Sequence, residues 1–357
     1  MRKTTPDGAE PRVTLKTLAE HLHLTAGTIS AALNDSAAAR AIPEHTKRRI
    51  IEAAQKLNYK PNYFARSLRL QRTYTIGVIA QQIGDPYGAA IISGIEEYLR
   101  DSEYFFLTVI HRHDQRVLQN YSQMLLARGV EGFITVDTSI KEQPALPTVA
   151  VAGHRHVPGV TNITIDHKAA ARLALKHLLE NGHRDIAFLK GQKDSSDSKT
   201  RWSAICDVAK ELGIRVRPEL TVQIETDLPT PELGYPAAKQ LLARNERFTA
   251  LFAYNDISAI GAIQAFQEAG LRVPGDVSVV GFDDIPLAVV FKPELTTISQ
   301  PLRRMGQIAA KTIIDQIEKT AEYSPEIIVE PELIRRTSSG PVKTATGSTK
   351  NRVAFAG

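Results

Sequence analysis

The sequence predicts an α/β protein with an N-terminal all-α helix-turn-helix head and a two-lobed, doubly wound core. Three observations lead there. Residues 13–60 follow a helical period with only Gly27 and Pro43 as breakers. From Thr73, apolar strand-like runs alternate with longer amphipathic stretches, the order of a parallel sheet covered by helices. That alternation continues to about residue 340, long for one sheet, so two similar sheets fit better.

In the head, Thr14 can cap a helix burying Leu15, Leu18, Ala19 and Leu22 at spacing i, i+3, i+4, i+7. His23-Leu24 makes a turn, and Thr25 caps a second helix, Ala26–Leu33, with Ile29 and Leu33 inward. Pro43 suits the first turn of a third helix reaching Leu57, with Ile50, Ile51, Ala54 and Leu57 inside. Two short helices, a tight turn and a supporting helix make a tri-helical helix-turn-helix.

In the core, strands are expected at Thr75–Ala80, Phe105–Ile110, Gly132–Val136, Thr148–Val151, Ile186–Leu189, Ala250–Ala253, Val277–Gly281 and Ile327–Val329. Helices are expected at Tyr87–Arg100, Arg116–Arg128, His167–Asn181, Trp202–Leu212, Pro231–Arg244, Asp256–Ala269 and Leu302–Lys319. From Thr337 onward a Ser/Thr/Gly-rich chain lacks apolar periodicity and is expected to be disordered.

Charge is uneven. The chain carries +5 overall, residues 1–72 carry +7, and the rest carries −2. A basic head on a near-neutral body points to a polyanionic partner. No GxGxxG follows the first strand and no GxxxxGK[ST] occurs, so dinucleotide and P-loop chemistry lose their support. Cys206 is the one cysteine, which excludes a disulfide framework and a cysteine zinc site. The pair Asp283-Asp284 has no accompanying nucleophile–base motif or His-Glu-x-x-His, so no enzyme activity, metal or cofactor is expected. The first ten residues show no apolar signal region and no run spans a bilayer, so a cytoplasmic, nucleoid-associated protein without membrane contact is expected.

Val13-Thr-Leu-Lys-Thr-Leu-Ala-Glu20, Thr25-Ala-Gly-Thr-Ile-Ser-Ala-Ala-Leu-Asn34, Thr46–Asn62 and Ala65-Arg-Ser-Leu68 together resemble the lactose/galactose-repressor (LacI/GalR) family of bacterial transcription regulators. The resemblance runs from about residue 13 to 340. It implies an operator-binding head at 1–60, a hinge helix or linker at 61–72, an effector-binding core at 73–340 and a disordered tail at 341–357. It places the near lobe at 73–165 and 293–325 and the far lobe at 166–292 and 326–340. The chain would cross between them near 164–166, 291–295 and 324–326. The core would resemble periplasmic sugar-binding proteins.

The same resemblance implies DNA contacts from Thr14, Thr25, Ala26, Gly27, Thr28, Ser30, Ala31, Asn34 and Thr46 in the head, and from Asn62, Ala65, Arg66 and Leu68 in the hinge. Ala26, Gly27 and Ala31 replace longer base-reading side chains and cannot make a bidentate pair to guanine. The loop containing Ala37–Ala41 is about three residues longer than usual. The hinge is too short to fold alone; it resembles a helix formed only when two copies sit in a widened minor groove, with Leu68 as the wedge.

Effector contacts are implied for Tyr87, Arg201, Asn255, Asp283 and Gln300, most of them at the ends of expected strands, where α/β sheets bind ligands; Trp202 or Tyr87 supplies a stacking ring, and His154 is a further candidate. Arginine, carboxylate and amide groups suit a ring of hydroxyls, since each bridges neighbouring oxygens. Ala152 stands where sugar-responsive members frequently carry aspartate, with His154 as a substitute. The expected protein is a dimeric repressor of carbohydrate genes, bound to double-stranded operator DNA and to a small sugar-like effector. The alternative is a corepressor-type regulator responding to a nucleobase. The stripe Ala90, Ile91, Gly94, Ile95 serves either a homodimer face or the chain's own core.

Overall fold

A computed structural model of the chain describes residues 13–34, 37–153, 156–193, 195, 197–225 and 230–343. Two compact units divide it, residues 1–73 and 74–357.

The first unit holds α1 (Leu15–Leu22), α2 (Ala26–Leu33), a 3-10 turn (Ala37–Ala41), α3 (Glu44–Lys56) and α4 (Tyr63–Leu70). Leu18, Leu22, Ile29, Ile50, Ala53 and Ala54 form its core. Two expectations fail here. Ile51 is 44% exposed and Ala53 takes its place, because Ile50, Ala53 and Ala54 share one helical face. Ala31 is only 8% exposed, so it is not on the outer face expected to read bases. The 3-10 turn packs against α2 and buries Ala39. The longer loop thus folds onto the helix.

The hinge segment carries the helix α4. Local bonds hold it: Ala65 N donates to Asn62 Oδ1 at 3.3 Å, and the Ser67 hydroxyl donates to the Tyr63 carbonyl at 3.0 Å. The Tyr63 hydroxyl also donates to the Thr73 carbonyl.

The second unit contains, among the described residues, two six-stranded sheets. The near sheet uses β1 (Thr75–Ala80), β2 (Phe105–Ile110), β3 (Gly132–Val136), β4 (Thr148–Val151), β5 (Val160–Ile165) and β11 (Glu326–Val329), in the order β11-β5-β4-β3-β1-β2, all parallel. The far sheet uses β6 (Ile186–Lys190), β7 (Thr221–Gln223), β8 (Ala250–Phe252), β9 (Ser278–Asp283), β10 (Thr296–Ser299) and β12 (Glu332–Ile334). Its order is β12-β10-β9-β8-β6-β7, with β12 antiparallel to β10. The near helices are α5 (Pro86–Leu99), α6 (Gln115–Ala127) and α12 (Leu302–Glu318). The far lobe adds α7 (His167–Glu180), α8 (Ser198–Glu211), α9 (Tyr235–Ala243), α10 (Asp256–Glu268) and α11 (Leu287–Val290).

Strand pairing moves two crossings. β10 pairs with β9 in the far sheet, so the second crossing lies at 300–301 rather than 291–295. β11 pairs with β5 in the near sheet, so the third lies at 330–331 rather than 324–326. The lobe boundaries of the sequence reading shift with them. The helix expected at Pro231–Arg244 breaks into a 3-10 turn (Pro231–Leu233) and α9. At the break, a Cβ on Gly234 would overlap the Ser258 carbonyl of α10.

The stripe Ala90, Ile91, Gly94, Ile95 is spent inside the chain, with Ile91, Gly94 and Ile95 buried and Ala90 half-buried against the same core. It packs on α12, where a Cβ at Gly94 would overlap the Arg303 carbonyl. It is therefore core, not a free dimer face. The expected tail also starts later, because Ser338 is fully buried and its hydroxyl donates to the Val279 carbonyl at 2.7 Å. Val342 N donates to the Asn181 carbonyl at 2.8 Å. The rest of the tail, from residue 344, and the arm 1–12 lie outside the described residues.

Candidate functional site

The parallel strands of both sheets point their C-terminal ends at one cleft in the second unit, the place where α/β sheets take ligands. The near lobe lines it with Gln81, which directly follows β1, with Asp85 and Tyr87 at the start of α5, and with His113 and Asp137. The far lobe contributes Gln192, Ser195, Asp197, Arg201, Tyr254, Asn255 and Asp283. Leu233, Ile257 and Ile285 add apolar surface.

Of the expected effector residues, Tyr87, Arg201, Asn255 and Asp283 line this cleft. Gln300 does not line it but holds a residue that does, donating from Nε2 to Asp283 Oδ1 at 2.6 Å. Trp202 is a correction. One residue on from Arg201 in α8, it turns about 100° away. Its ring packs edge-on against Phe188 at 5.8 Å, with Lys190 Nζ over it at 5.0 Å. His154 lies outside the described residues.

Arg201 is the centre of the far wall. It is buried, ion-paired to Asp197, and its NH1 donates to the Tyr254 carbonyl at 2.6 Å. The guanidinium lies over the Phe282 ring at 3.7 Å and the Tyr254 ring at 4.7 Å. Its Nε is buried without a partner among the described residues. Asn255 also caps α10, where its Oδ1 accepts from Ser258 N at 2.9 Å. Asp256, the next residue, is fully buried and accepts from the Ile285 amide at 2.9 Å and the Thr297 hydroxyl at 2.5 Å. It pins the turn that presents Asp283, whose φ is 112°.

The electrostatics follow from burial. Desolvation pushes the Asp283 carboxyl up to about 7, against the opposing pull of Arg201 and Gln300. Desolvation, then Asp137 and Asp283, raise the Tyr87 phenol well above its ordinary value. Tyr254 is pushed up to about 12 by the same burial. Both phenols therefore stay neutral donors near neutral pH. Among the described residues, no cluster of His, Cys, Asp or Glu could hold a metal.

In the head, the exposed face carries Thr25, Ala26 and Gly27. The Thr25 and Thr28 hydroxyls are 2.9 Å apart, and Thr25 caps α2 by accepting from Thr28 N at 3.1 Å. Thr14 caps α1 through Thr17 N at 3.2 Å. Thr46 is half-buried, with its hydroxyl 3.2 Å from His45 Nε2. Asn34 Nδ2 donates to the Ser30 carbonyl at 2.7 Å, and Arg69 NH1 donates to the Ser30 hydroxyl at 2.9 Å. The Arg69–Ser30 link has no signal in the sequence. On α4, Leu68 is 82% exposed, Ala65 and Asn62 are exposed, and Arg66 is half-buried.

Comparison with known proteins gives four findings. Residues 175–339 match the family model described as periplasmic binding protein-like domain. The HTH-type transcriptional repressor PurR of Aliivibrio fischeri (strain ATCC 700601 / ES114) is 32% identical over 334 residues, covering 91% of this chain and 98% of that repressor. Among solved structures, the lac repressor dimer bound to operator and the anti-inducer ONPF has a TM-score of 0.81 at 24% identity, covering 92% of this chain and all of that one. A LacI family regulator from Enterococcus faecium with bound ribose has a TM-score of 0.66 at 27% identity, covering 75% of this chain and all of that one. Among the described residues no helix is long and apolar enough to cross a membrane.

Proposed function

The chain belongs to the LacI/GalR family of DNA-binding transcriptional repressors, and from that premise we propose that it is a dimeric repressor whose operator affinity is changed by a small, neutral, hydroxyl-rich effector of sugar type bound in the core cleft. It is a regulator and not an enzyme. The observation that carries the effector reading is the convergence of Tyr87, Arg201, Asn255 and Asp283, remote in sequence, on one cleft. Amide, guanidinium and carboxylate groups bridge neighbouring hydroxyls, and the two neutral phenols add donors. Closure of the lobes on the ligand would change the spacing of the two hinge segments in a dimer. The exposed Leu68 is the apolar wedge for a central base step.

A second reading, a nucleobase acting as corepressor, is favoured by the identity to repressors named PurR and by the Tyr87 and Tyr254 rings, which offer stacking surfaces.

Gel shift of the full chain on fragments of its own genome, with and without ribose, cellobiose and hypoxanthine, tests both. Weakened operator binding with a sugar supports the first reading; strengthened binding with hypoxanthine replaces it with the second. A ligand at a hundred times its Kd adds about 2.7 kcal/mol of stability, and Arg201→Ala is expected to abolish that thermal shift. Leu68→Ala is expected to lose most operator affinity and leave effector binding intact. Operator affinity equal to that of the unmodified chain removes the wedge.

A further inference from the structure

The ligand-reading arginine is joined to the point where the chain first passes between lobes. β5 ends at Ile165 in the near sheet, Asp166 caps α7, and His167 is the first residue of that helix. The ring of His167 is buried and stacks on Phe282 at 6.5 Å with 29° between planes. Its Nε2 stands 2.8 Å from Asp197 Oδ1. The other oxygen of Asp197, Oδ2, pairs with the Arg201 NH2, and the guanidinium lies over the Phe282 ring at 3.7 Å. His167, Asp197, Arg201 and Phe282 thus form one buried block, and Asp197 and Arg201 line the cleft.

We propose that His167 is a positioning residue for effector recognition: fixed at the first crossing, it holds the Asp197 carboxylate, which in turn aims the Arg201 fork at the ligand. The chemistry requires such a support. A carboxylate facing one arginine inside a cleft can rotate about its side-chain torsions and take the guanidinium with it. A second side chain packed 2.8 Å from the opposite oxygen restricts that freedom, the role that outer partners play for metal ligands and catalytic side chains. His167 itself is not among the residues lining the cleft. Its effect on binding is transmitted through Asp197.

The inference rests on the effector reading of the cleft, and its test separates the two. In the full chain, the Arg201 Nε–H resonance, assigned by its loss in Arg201→Lys, reports guanidinium order without any ligand. His167→Ala is expected to broaden or lose that resonance, while His167→Gln, which keeps a side-chain donor, retains it. Titration with ribose, cellobiose and hypoxanthine then reads affinity. Loss of a buried polar contact to a charged group predicts roughly a tenfold or larger loss of affinity in His167→Ala, with recovery in His167→Gln. An Arg201 resonance unchanged in His167→Ala, or equal losses in the alanine and glutamine variants at equal melting temperature, would overturn the proposal. If none of the three compounds binds the unmodified chain, the effector reading fails while the resonance still decides the role of His167.

Discussion

The two lobes share a strand order but differ at their last strand and in what they bring to the cleft. The near sheet is parallel throughout, whereas the far sheet ends in the antiparallel β12. The cause is the third crossing. The first passage leaves β5 through a helix, which turns the chain back so that β6 runs parallel to its neighbours. The third goes from β11 straight through Glu330-Pro331 into β12 with no helix, so the strand keeps its heading and meets β10 from the opposite direction. The cleft is asymmetric as well. Among the described lining residues, Arg201 of the far lobe is the arginine, and it is anchored by Asp197 and the Tyr254 carbonyl. The near lobe offers amides, a phenol and carboxylates on turns that follow its strands. On the proposed reading of the cleft, the far wall would orient a ligand and the near wall would enclose it.

The sharpest way to break the comparison is through the close helix approaches that each lobe contains. A Cβ on Gly94 would overlap the Arg303 carbonyl of α12 in the near lobe, and one on Gly261 would overlap the Pro231 carbonyl in the far lobe. Gly94→Ala and Gly261→Ala are each expected to cost about 2–3 kcal/mol, measured by chemical denaturation. A large loss from one and none from the other would show that the lobes are not built alike.

A smaller effect concerns Asp283. Its folded carboxyl is raised to about 7 from 3.8, so the folded state holds the proton more tightly. Its contribution to stability is then full below pH 4 and is lost as pH rises through 7, with a slope of at most about 1.4 kcal/mol per pH unit. Asp283→Asn is expected to flatten that part of the stability–pH curve. Gln300→Leu, which removes a hydrogen bond to the carboxylate, is expected to move the midpoint upward. A curve unchanged in Asp283→Asn would assign the slope to other groups.

The smallest effect separates neighbours on α8. Trp202→Phe keeps an aromatic ring against Phe188 and is expected to change effector affinity less than about threefold, within the range of a tolerated packing change. A tenfold loss in a binding titration would return Trp202 to the cleft. In the head, Ala31→Arg is expected to destabilise by about 1–3 kcal/mol in thermal melts, because the site is buried. A stable variant with a new operator preference would put position 31 back on the reading face.

Legibility followed the local pattern. Thr75–Ala80 and Gly132–Val136 are contiguous apolar runs because parallel strands are covered on both faces, and the structure has them with the same bounds. β5, β7, β10 and β12 went unread: β5 is interrupted by Thr161, Asn162 and Thr164, and the other three are short and polar. In β10 the Thr297 hydroxyl is buried only because Asp256, forty-one residues away, accepts its hydrogen bond. In the cleft, Arg201, Asn255 and Asp283 stand out as clustered polar residues after strands. Gln81 and Asp137 follow β1 and β3 just as directly, and that position was the available signal. His167 carried none, since its role depends on a contact thirty residues distant.

The sequence by itself determined the helical head, the alternation of strands and helices and the family, since periodicity, capping residues and motif spacing are local properties. Only the tertiary structure decided which sheet each late strand joins, that the Ile91–Ile95 stripe is core, that Ala31 is covered and that Trp202 faces away from the ligand cleft. Each of these is set by partners distant in the chain, and burial and pairing energies arise only when the partners meet.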